Sequence, residues 1–239
     1  MPIYTLKLLD KREIAHQTYI FIFSKPDHFT FIPGQYAGFT LPILLKTQPT
    51  NSTRRFSLLS TPQDEHLVIA TRMQPSSYKQ ALIELPIGSE VKCAGPSGNF
   101  VLHADTHIPA VLIAGGIGIT PFYSMIQSNF EQSITRPIYL FYANRTLSEA
   151  AFLTTLSSWQ KEHAQFNFIP ILTDSIPTNW QGESGFLSYD MLKKYIEDLT
   201  QPVFYICGSP TMVQSVQTTL LELDILPEKI KIEDFPGYS

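Results

Sequence analysis

Cysteine is scarce in this chain of 239 residues, which contains only Cys93 and Cys207. Two cysteines are too few for the four-cysteine ligand sets of iron–sulfur clusters and structural zinc sites. We therefore expect no metal site, and we expect any redox group held by the chain to be organic.

Charge is also sparse, at 16% of residues with a formal net charge of -4. The chain lacks the strong positive charge that nucleic-acid-binding proteins carry. The two halves differ, because residues 1–106 carry ten Lys and Arg against eight Asp and Glu, whereas the remainder carries seven against thirteen. An acidic macromolecular partner would therefore prefer the first half, and nucleic acid is not expected as a partner.

Signals for export and membrane insertion are lacking as well. The segment MPIYTLKLLDKRE at the N-terminus has no uninterrupted apolar stretch of the kind a signal peptide needs, so we expect a cytoplasmic protein. His107–Phe130 is uncharged and long enough to cross a bilayer. Three glycines and Pro121 interrupt it and no positive cluster flanks it, so a buried strand followed by a buried helix explains it better than a membrane span.

Two regions with different periodicity follow each other along the chain. Short alternating strands separated by Gly, Pro and Asp turns are predicted at 18–23, 35–41, 55–60, 66–73 and 89–95, with one helix at 78–85. This pattern is typical of an antiparallel β-barrel. From Ile108, apolar strands alternate with helices, which predicts a doubly wound, five-stranded parallel sheet. We place the two domains at 1–104 and 105–239, with ligands bound in the crevice between them.

Two glycine-containing turns point to a phosphate-binding edge of this sheet. AGGIGITPF (114–122) follows the first parallel strand, and we expect Thr120 as the N-cap and Pro121 as the first residue of a helix whose N-terminus faces an anion. CGSPTM (207–212) repeats the arrangement after the fourth strand. The first turn lacks the third glycine of GxGxxG, so a plain strand-to-helix turn stays open as an alternative.

Polar side chains in the barrel half could bind a second ligand. Arg55 and Ser57 share one face of a strand because side chains alternate with period two, and a guanidinium can bind phosphate while a hydroxyl can bond a ring nitrogen. Ser76 and Ser77 precede a short helix and offer hydroxyls to further phosphate oxygens. An exposed polar strand face and an N-cap with nothing bound are the alternatives.

Six motifs in this order resemble the ferredoxin–NADP reductase superfamily: PGQY (33–36), RRFS (54–57), GPSGNF (95–100), GGIGITPF (115–122), CGSPTM (207–212) and IEDF (232–235). The resemblance extends over nearly the whole chain. It implies a flavin-binding six-stranded antiparallel barrel followed by a nicotinamide-nucleotide domain.

The resemblance implies a flavin site in which Arg55 binds phosphate and Ser57 lies beside the flavin N5. Phe56 stands where the family usually has tyrosine. The implied flavin-binding residues are Arg55, Phe56, Ser57, Leu58, Ile69, Ala70, Thr71, Ser76, Ser77 and Phe235. Phe235 is expected to cover the outer flavin face, with Tyr238 as a competitor. Gln74 stands where a glycine is common, and FAD is favoured over FMN.

The same resemblance implies a nicotinamide site and a catalytic set of Ser57, Cys207 and Glu233. The residues expected to bind NAD(P)H are Gly115, Gly116, Gly118, Thr120, Pro121, Asn144, Arg145, Asp174, Cys207, Gly208 and Met212. Asp174 should repel a 2′-phosphate and could accept from a free ribose hydroxyl, whereas Arg145 favours the phosphate. We therefore expect NADH rather than NADPH as the donor.

These expectations combine into one function, a flavin-dependent NAD(P)H reductase. It would take hydride from the nicotinamide onto bound FAD and pass electrons to a separate acceptor such as ferredoxin or flavodoxin. Alternatives are the reductase component of an oxygenase system, a flavin or ferric-chelate reductase, and, in another class, a non-catalytic nucleotide-binding regulatory subunit.

Overall fold

The computed structural model of the chain describes residues 2–235, and Tyr238 lies outside them. The N-terminal half forms an antiparallel sheet in the order β4-β3-β6-β1-β2-β5. Its strands are β1 (Ile3–Ala15), β2 (Thr18–Ser24), β3 (Tyr36–Thr40), β4 (Thr53–Ser57), β5 (His66–Arg72) and β6 (Glu90–Ser97). Two helices lie in its connections, α1 (Pro42–Leu45) and α2 (Ser77–Glu84).

This sheet closes on itself, which confirms the predicted barrel. The Leu59 amide, just beyond β4, donates to the Val68 carbonyl on β5 at 2.8 Å, so the two ends of the sheet meet. Alternating side chains of every strand fill the interior with aliphatic and aromatic groups, including the fully buried Leu6, Phe21 and Phe39. Burial of this apolar surface is the main source of stability for the barrel.

Strand β1 is the one barrel strand that periodicity did not predict. Only Leu6 and Leu8 of its 13 residues are buried, and the second half of the strand is charged and largely exposed. Pairing with its neighbours holds it instead, because Ile3–Lys7 pair with β6 and Leu8–Ala15 pair with β2. A strand stabilised by two ladders needs no apolar alternation along its whole length.

The C-terminal half is a parallel sheet in the order β10-β9-β8-β7-β11-β12. Its strands are β7 (Ala110–Gly115), β8 (Ile138–Asn144), β9 (Phe166–Leu172), β10 (Glu183–Ser184), β11 (Val203–Gly208) and β12 (Ile230–Asp234). Its helices are α3 (Ile119–Glu131), α4 (Leu153–Glu162), α5 (Tyr189–Tyr195) and α6 (Pro210–Glu222). The five predicted strands are all present, and the sixth, β10, is a two-residue edge strand too short to show a periodicity.

Helices cover both faces of this sheet, as the doubly wound prediction requires. Residues of α3 and α4 pack with one set of strand side chains, whereas residues of α5 and α6 pack with the opposite set. The uncharged segment 107–130 accounts for β7 and α3 at the centre of this core. Within residues 2–235, no helix combines the length and the apolar character needed to cross a bilayer.

The connection between the two sheets is fastened to the C-terminal half by His103. Its amide donates to the Tyr205 hydroxyl at 2.8 Å, and its Nδ1 lies 3.0 Å from the same oxygen. Arg136 donates to the His103 carbonyl at 2.5 Å, and Phe100 packs edge-on against the Tyr205 ring. The connection is therefore part of the C-terminal core rather than a free linker.

Tyr205→Phe should destabilise the chain by about 1–2 kcal/mol, because the His103 amide loses its acceptor in a largely buried setting. Urea unfolding measures the change. Tyr139→Phe on β8 is the matched control, expected to change stability by less than about 0.5 kcal/mol. Equal effects of the two substitutions would contradict the role given to the Tyr205 hydroxyl.

Candidate functional site

The two glycine turns lie in contact at the carboxyl edge of the parallel sheet. A Cβ atom added to Gly118 would lie 2.3 Å from the Cys207 carbonyl oxygen, and one added to Gly208 would lie 3.4 Å from the Gly115 Cα. Gly116 has φ +53°, a left-handed conformation that favours glycine. Glycine is thus required here for close backbone approach, as the motif predicted.

A cavity of about 520 Å³ opens directly above these turns. Carboxyl ends of parallel strands form its floor, which is where open α/β sheets bind ligands. Residues lining it include the predicted Gly115, Gly116, Asn144, Arg145, Gly208, Met212 and Phe235, together with Arg72, Gln74, Thr173, Phe186 and Ser209. Two arginines supply positive charge for a dinucleotide here, and Met212 packs over Gly115 and Gly208.

The capping prediction for the first turn was wrong. Helix α3 begins at Ile119 with Gly118 in the cap position, after a short 3-10 turn over Gly116–Gly118. Thr120 lies inside the helix, where its buried hydroxyl donates to the Ile117 carbonyl at 3.0 Å, and Pro121 follows it as the third helical residue. The 3-10 turn over Gly116–Gly118 leads directly into α3, so the helix begins without a side-chain cap.

At the second turn a side chain does cap the helix, but the sequence analysis did not predict which residue does so. Ser209 is the N-cap of α6, and its Oγ accepts from the Met212 amide at 3.4 Å. Pro210 occupies the first turn of the helix, as predicted. The Ser-Pro pair was the signal, because serine is a preferred N-cap before a proline at the first position.

The three predicted catalytic residues come together between the two halves of the chain. Cys207 and Glu233 are paired in register on β11 and β12, and the Ser57 hydroxyl from the barrel donates to Glu233 Oε2 at 3.5 Å. Burial, with a smaller contribution from Asp234, raises the pKa of Glu233 to about 7 despite the Ser57 hydrogen bond. Complete burial, with the charges of Glu233 and Asp234, also raises the pKa of the Cys207 thiol well above its usual value, which favours the protonated thiol over the thiolate.

The outer barrel face next to Ser57 is built as the alternation predicted. Ser57 pairs with Tyr36, and Arg55 pairs with Gly38, which has no side chain to cover the sheet. The Arg55 guanidinium lies 5.5 Å from the centre of the Tyr36 ring. This face therefore offers the Ser57 hydroxyl, the Tyr36 ring, the Arg55 guanidinium and the backbone of Gly38. This combination of groups suits a flat heteroaromatic ring that carries a phosphate.

Phe56 points away from that face, into the barrel. It is 8% exposed and packs against Phe39 and Tyr78, with ring centres 6.0 Å apart in both pairs. Its expected packing against the flavin ring is thus replaced by core packing. The Tyr78 hydroxyl donates to the Phe39 carbonyl at 2.9 Å, which fixes α2 onto the barrel.

Several positively charged side chains lie around the start of α2, and the sequence analysis did not predict them as site residues. Arg54 lies 5.8 Å from the Tyr78 ring centre, and the Lys79 ammonium donates to the Arg72 carbonyl at 2.7 Å. Burial, assisted by Arg54 and Arg72, lowers the pKa of Lys79 to about 8. Ser76 is the cap residue of α2, but its side chain makes no capping bond, whereas Ser77 donates to Gln48 at 2.6 Å.

The other predicted flavin contacts lie on β5 and at the end of β12. Ile69 belongs to the barrel core. Ala70 instead packs with Leu59 of the barrel and with Ile117 of the C-terminal half. Thr71 is buried, and Leu58 is fully buried in the barrel. Phe235 donates its amide to the Gly208 carbonyl at 3.0 Å and packs beside the cavity.

Of the two residues expected to distinguish NADH from NADPH, Arg145 lines the cavity and Asp174 lies next to it outside the lining. The Asp174 amide donates to the Arg145 carbonyl at 3.0 Å, so the two residues are neighbours at the ends of β9 and β8. Phe186, which the sequence reading missed, also lines the cavity and is 84% exposed. It follows Gly185, whose φ of +89° turns the chain there.

Comparison with known proteins agrees with this architecture. The family model described as "Oxidoreductase NAD-binding domain" matches residues 112–218. The flavohemoprotein of Oceanobacillus iheyensis is 26% identical over 239 residues, covering 96% of this chain and 57% of that protein. The reductase component of propane 2-monooxygenase from Mycolicibacterium goodii is 28% identical over 198 residues, covering 80% and 55%. The chain thus spans about half the length of these relatives.

Solved structures give the same result for the fold. The Amycolatopsis cytochrome P450 reductase GcoB aligns with a TM-score of 0.86 at 25% identity, covering 100% of this chain and 72% of that one. A ferredoxin NADP+ reductase from Neisseria gonorrhoeae, solved with bound FAD and NADP, aligns with a TM-score of 0.84 at 20% identity, covering 97% and 98%.

The barrel, the parallel sheet and the glycine-lined cavity between them define a two-domain nucleotide-binding fold of the reductase type. Residues 112–218 match an NAD-binding oxidoreductase family, and the whole chain has the fold of the solved ferredoxin–NADP reductases.

Glu233→Gln should change how stability depends on pH. The folded chain holds the Glu233 proton more tightly than the unfolded chain, so this contribution is complete below about pH 4.5 and is lost as pH rises through about 7. Relative to wild type, the glutamine variant should gain about 1–3 kcal/mol between pH 5 and pH 8, measured by urea unfolding. Glu222→Gln, exposed on α6, is the control, and a parallel shift in both variants would count against this assignment.

Proposed function

We propose that this chain is an FAD-dependent NAD(P)H reductase that passes electrons to a separate acceptor. The observation that carries the proposal is the 3.5 Å contact between Ser57 of the barrel and Glu233 of the parallel sheet, which pairs with Cys207 just before the second glycine turn. A hydroxyl from one half and a carboxyl from the other converge where a ligand of each half would meet. Such convergence is what alignment of two reactants requires.

The residues of each half suit one of the two cofactors. When bound, the nicotinamide and the flavin would supply the hydride-transfer chemistry, so the roles of the protein's own residues are to bind and orient the two rings. The glycine turns and the helix start at α3 suit a dinucleotide pyrophosphate, and the outer face of β3 and β4 suits the flavin ring. Ser57 is proposed to hold a hydroxyl at the reacting nitrogen, and Cys207 and Glu233 to exclude water beside it.

FAD is favoured over FMN by the positive charge at α2. Arg54 lies against this helix and the Ser76 hydroxyl makes no capping bond at its start, which provides a cation and a hydroxyl in addition to Arg55. We therefore assign the phosphate-binding role to Arg54 as well as to Arg55, since Arg54 lies on the side of β4 that faces α2. Phe186 is proposed to stack on the adenine of the nicotinamide dinucleotide, because a large exposed ring at the cavity mouth suits a flat base.

The acceptor is proposed to be a separate carrier protein. Among residues 2–235, no group of three or more His, Cys, Asp and Glu is placed to hold a metal ion, so a metal relay would lie outside these residues. A reductase component of an oxygenase system is the second candidate. It is favoured because relatives carry that description, among them the propane 2-monooxygenase component and the reductase of a naphthalene 1,2-dioxygenase system from Pseudomonas putida.

Anaerobic stopped-flow mixing of the purified chain with NADH and with NADPH tests the central proposal. A flavin absorption band that bleaches in milliseconds to seconds supports it. A chain that binds flavin yet shows no bleaching with either donor would support the non-catalytic alternative. Steady-state assays with ferredoxin, flavodoxin, free flavin and a ferric chelate then distinguish the acceptors.

Ser57→Ala should slow flavin reduction by about tenfold to a hundredfold while weakening flavin binding by less than about threefold. The reason is that the proposed bond acts at the reacting nitrogen rather than along the whole cofactor. Single-turnover reduction and flavin titration measure the two effects. Ser60→Ala on the neighbouring segment is the control, and equal losses of rate and affinity in S57A would remove the role.

Asp174→Arg should shift the donor preference toward NADPH by about tenfold in the ratio of the two kcat/KM values. The change removes a repulsive carboxylate and adds a guanidinium near a 2′-phosphate. Steady-state kinetics with both donors measure the ratio. Glu222→Arg, which makes the same charge change at the far end of α6, should leave it unchanged, and an unchanged ratio in D174R would refute the assignment.

A further inference from the structure

The hydrogen bonds between His103 and Tyr205, here called the clasp, fix the protonation state of the imidazole. The His103 Nε2 lies 3.0 Å from the Ile108 carbonyl oxygen, which can only accept, so Nε2 carries the ring proton. The unprotonated Nδ1 then accepts from the Tyr205 hydroxyl at 3.0 Å, and the oxygen of that hydroxyl accepts from the His103 amide at 2.8 Å. Neutral His103 thus pairs both of its ring nitrogens and its amide.

Protonated His103 cannot keep this arrangement. Its Nδ1 would carry a second proton that points at the Tyr205 hydroxyl, and that hydroxyl would lose the acceptor for its own proton. Burial lowers the pKa of His103 below its usual value. The Arg136 charge acts in the same direction, whereas the Ile108 carbonyl and the Asp105 charge oppose it. Burial also raises the pKa of Tyr205, which keeps its hydroxyl proton available for Nδ1.

On the barrel side, short backbone contacts connect the clasp to Ser57. The Gln35 side chain donates to the Gly98 carbonyl at 3.0 Å, in the same connection that carries His103. The Gln35 carbonyl accepts from the Leu58 amide at 2.9 Å, and Leu58 directly follows Ser57. The position of the connection therefore sets the position of the end of β4.

On the sheet side, the clasp lies on the strand next to Glu233. Tyr205 pairs with Lys231 on β11 and β12, and Cys207 pairs with Glu233 two residues further along the same strands. The clasp thus joins the segment that positions Ser57 to the strand pair that carries Glu233. These are the two residues whose hydroxyl and carboxyl oxygens lie 3.5 Å apart between the halves.

We propose that His103 is a positioning residue for flavin reduction: neutral His103 holds Ser57 of the barrel against Glu233 of the sheet, and protonation of His103 releases that hold. The inference rests on the proposed function and adds a residue outside the lining of the glycine-turn cavity. The folded chain binds this proton less tightly than the unfolded chain. The contribution of His103 to stability is therefore complete above about pH 6.5 and is lost as the pH falls below that value.

Three substitutions separate the hydrogen-bond acceptor at this position from its titration. His103→Asn keeps an acceptor close to the place of Nδ1 but has no charged form. His103→Leu removes the acceptor altogether. His107→Asn is the matched control, because His107 has an exposed imidazole on the same connection.

NMR of the histidine rings tests the clasp without any donor or flavin reaction. Long-range ¹H–¹⁵N spectra, with the His103 signals assigned by their loss in H103N, should show a neutral ring with its proton on Nε2 at pH 7.5 and a pKa below about 6.5. Hydrogen exchange of peptides covering 98–108 should lose protection through that pKa in wild type and in H107N, but not in H103N.

Single-turnover flavin reduction across the same pH range tests the positioning role. Above the measured pKa of His103, H103N should react within about twofold of wild type, and H103L about threefold to tenfold more slowly. Below that pKa, wild type and H107N should slow toward the rate of H103L, so the ratio of H103N to wild type should rise by about threefold or more. Glu233 titrates in every variant and cancels from these ratios.

The failures of the inference and of the proposed function are distinguishable. A His103 ring that is charged at pH 7.5, or that carries its neutral proton on Nδ1, would overturn the clasp whatever the chain catalyses. A ratio of H103N to wild type that does not change with pH would overturn the positioning role while leaving the reductase function in place. A chain whose flavin neither NADH nor NADPH reduces would overturn the proposed function and the positioning role, although the NMR result would still decide the clasp.

Discussion

The backbone contact between the two glycine turns is the constraint on which the rest of the site depends. The Gly118 Cα lies so close to the Cys207 carbonyl that even a methyl group would overlap it. This closeness lets the ends of β7 and β11 form one edge, and it sets Glu233 of the neighbouring β12 beside Cys207. Two side chains lie over the glycines of this edge, Met212 over Gly115 and Gly208 and Arg72 over Gly116.

Contacts between the two halves then align what each half would bind. Ser57 reaches Glu233, Ala70 and Leu59 pack on Ile117, and Arg72 reaches Glu149. His103 fastens the connection itself to the sheet through Tyr205. These contacts combine apolar packing with a few hydrogen bonds and an ion pair. The relative position of barrel and sheet is therefore set by many weak interactions rather than by one strong ion pair.

Two buried ionisable groups at the site have different consequences. Glu233 has a pKa raised to about 7, so near neutral pH its charge state responds to its surroundings, including the Ser57 hydrogen bond. Glu149 is held ionised by its two arginines. One carboxyl therefore lies in an apolar setting at the proposed reaction centre, and the other neutralises cations where phosphates are proposed to bind.

Sequence periodicity alone determined the barrel, the doubly wound sheet and the edge at which the glycine turns meet, because strand alternation and the Gly and Pro turns are local properties. It also placed Arg55 and Ser57 on one strand face. Only the tertiary structure decided that Phe56 faces the core, that Gly118 rather than Thr120 caps α3, and that β1 is held by its two ladders. Contacts between segments far apart in the chain likewise set the positions of Arg54, Arg72 and Phe186. No local sequence pattern encodes such contacts.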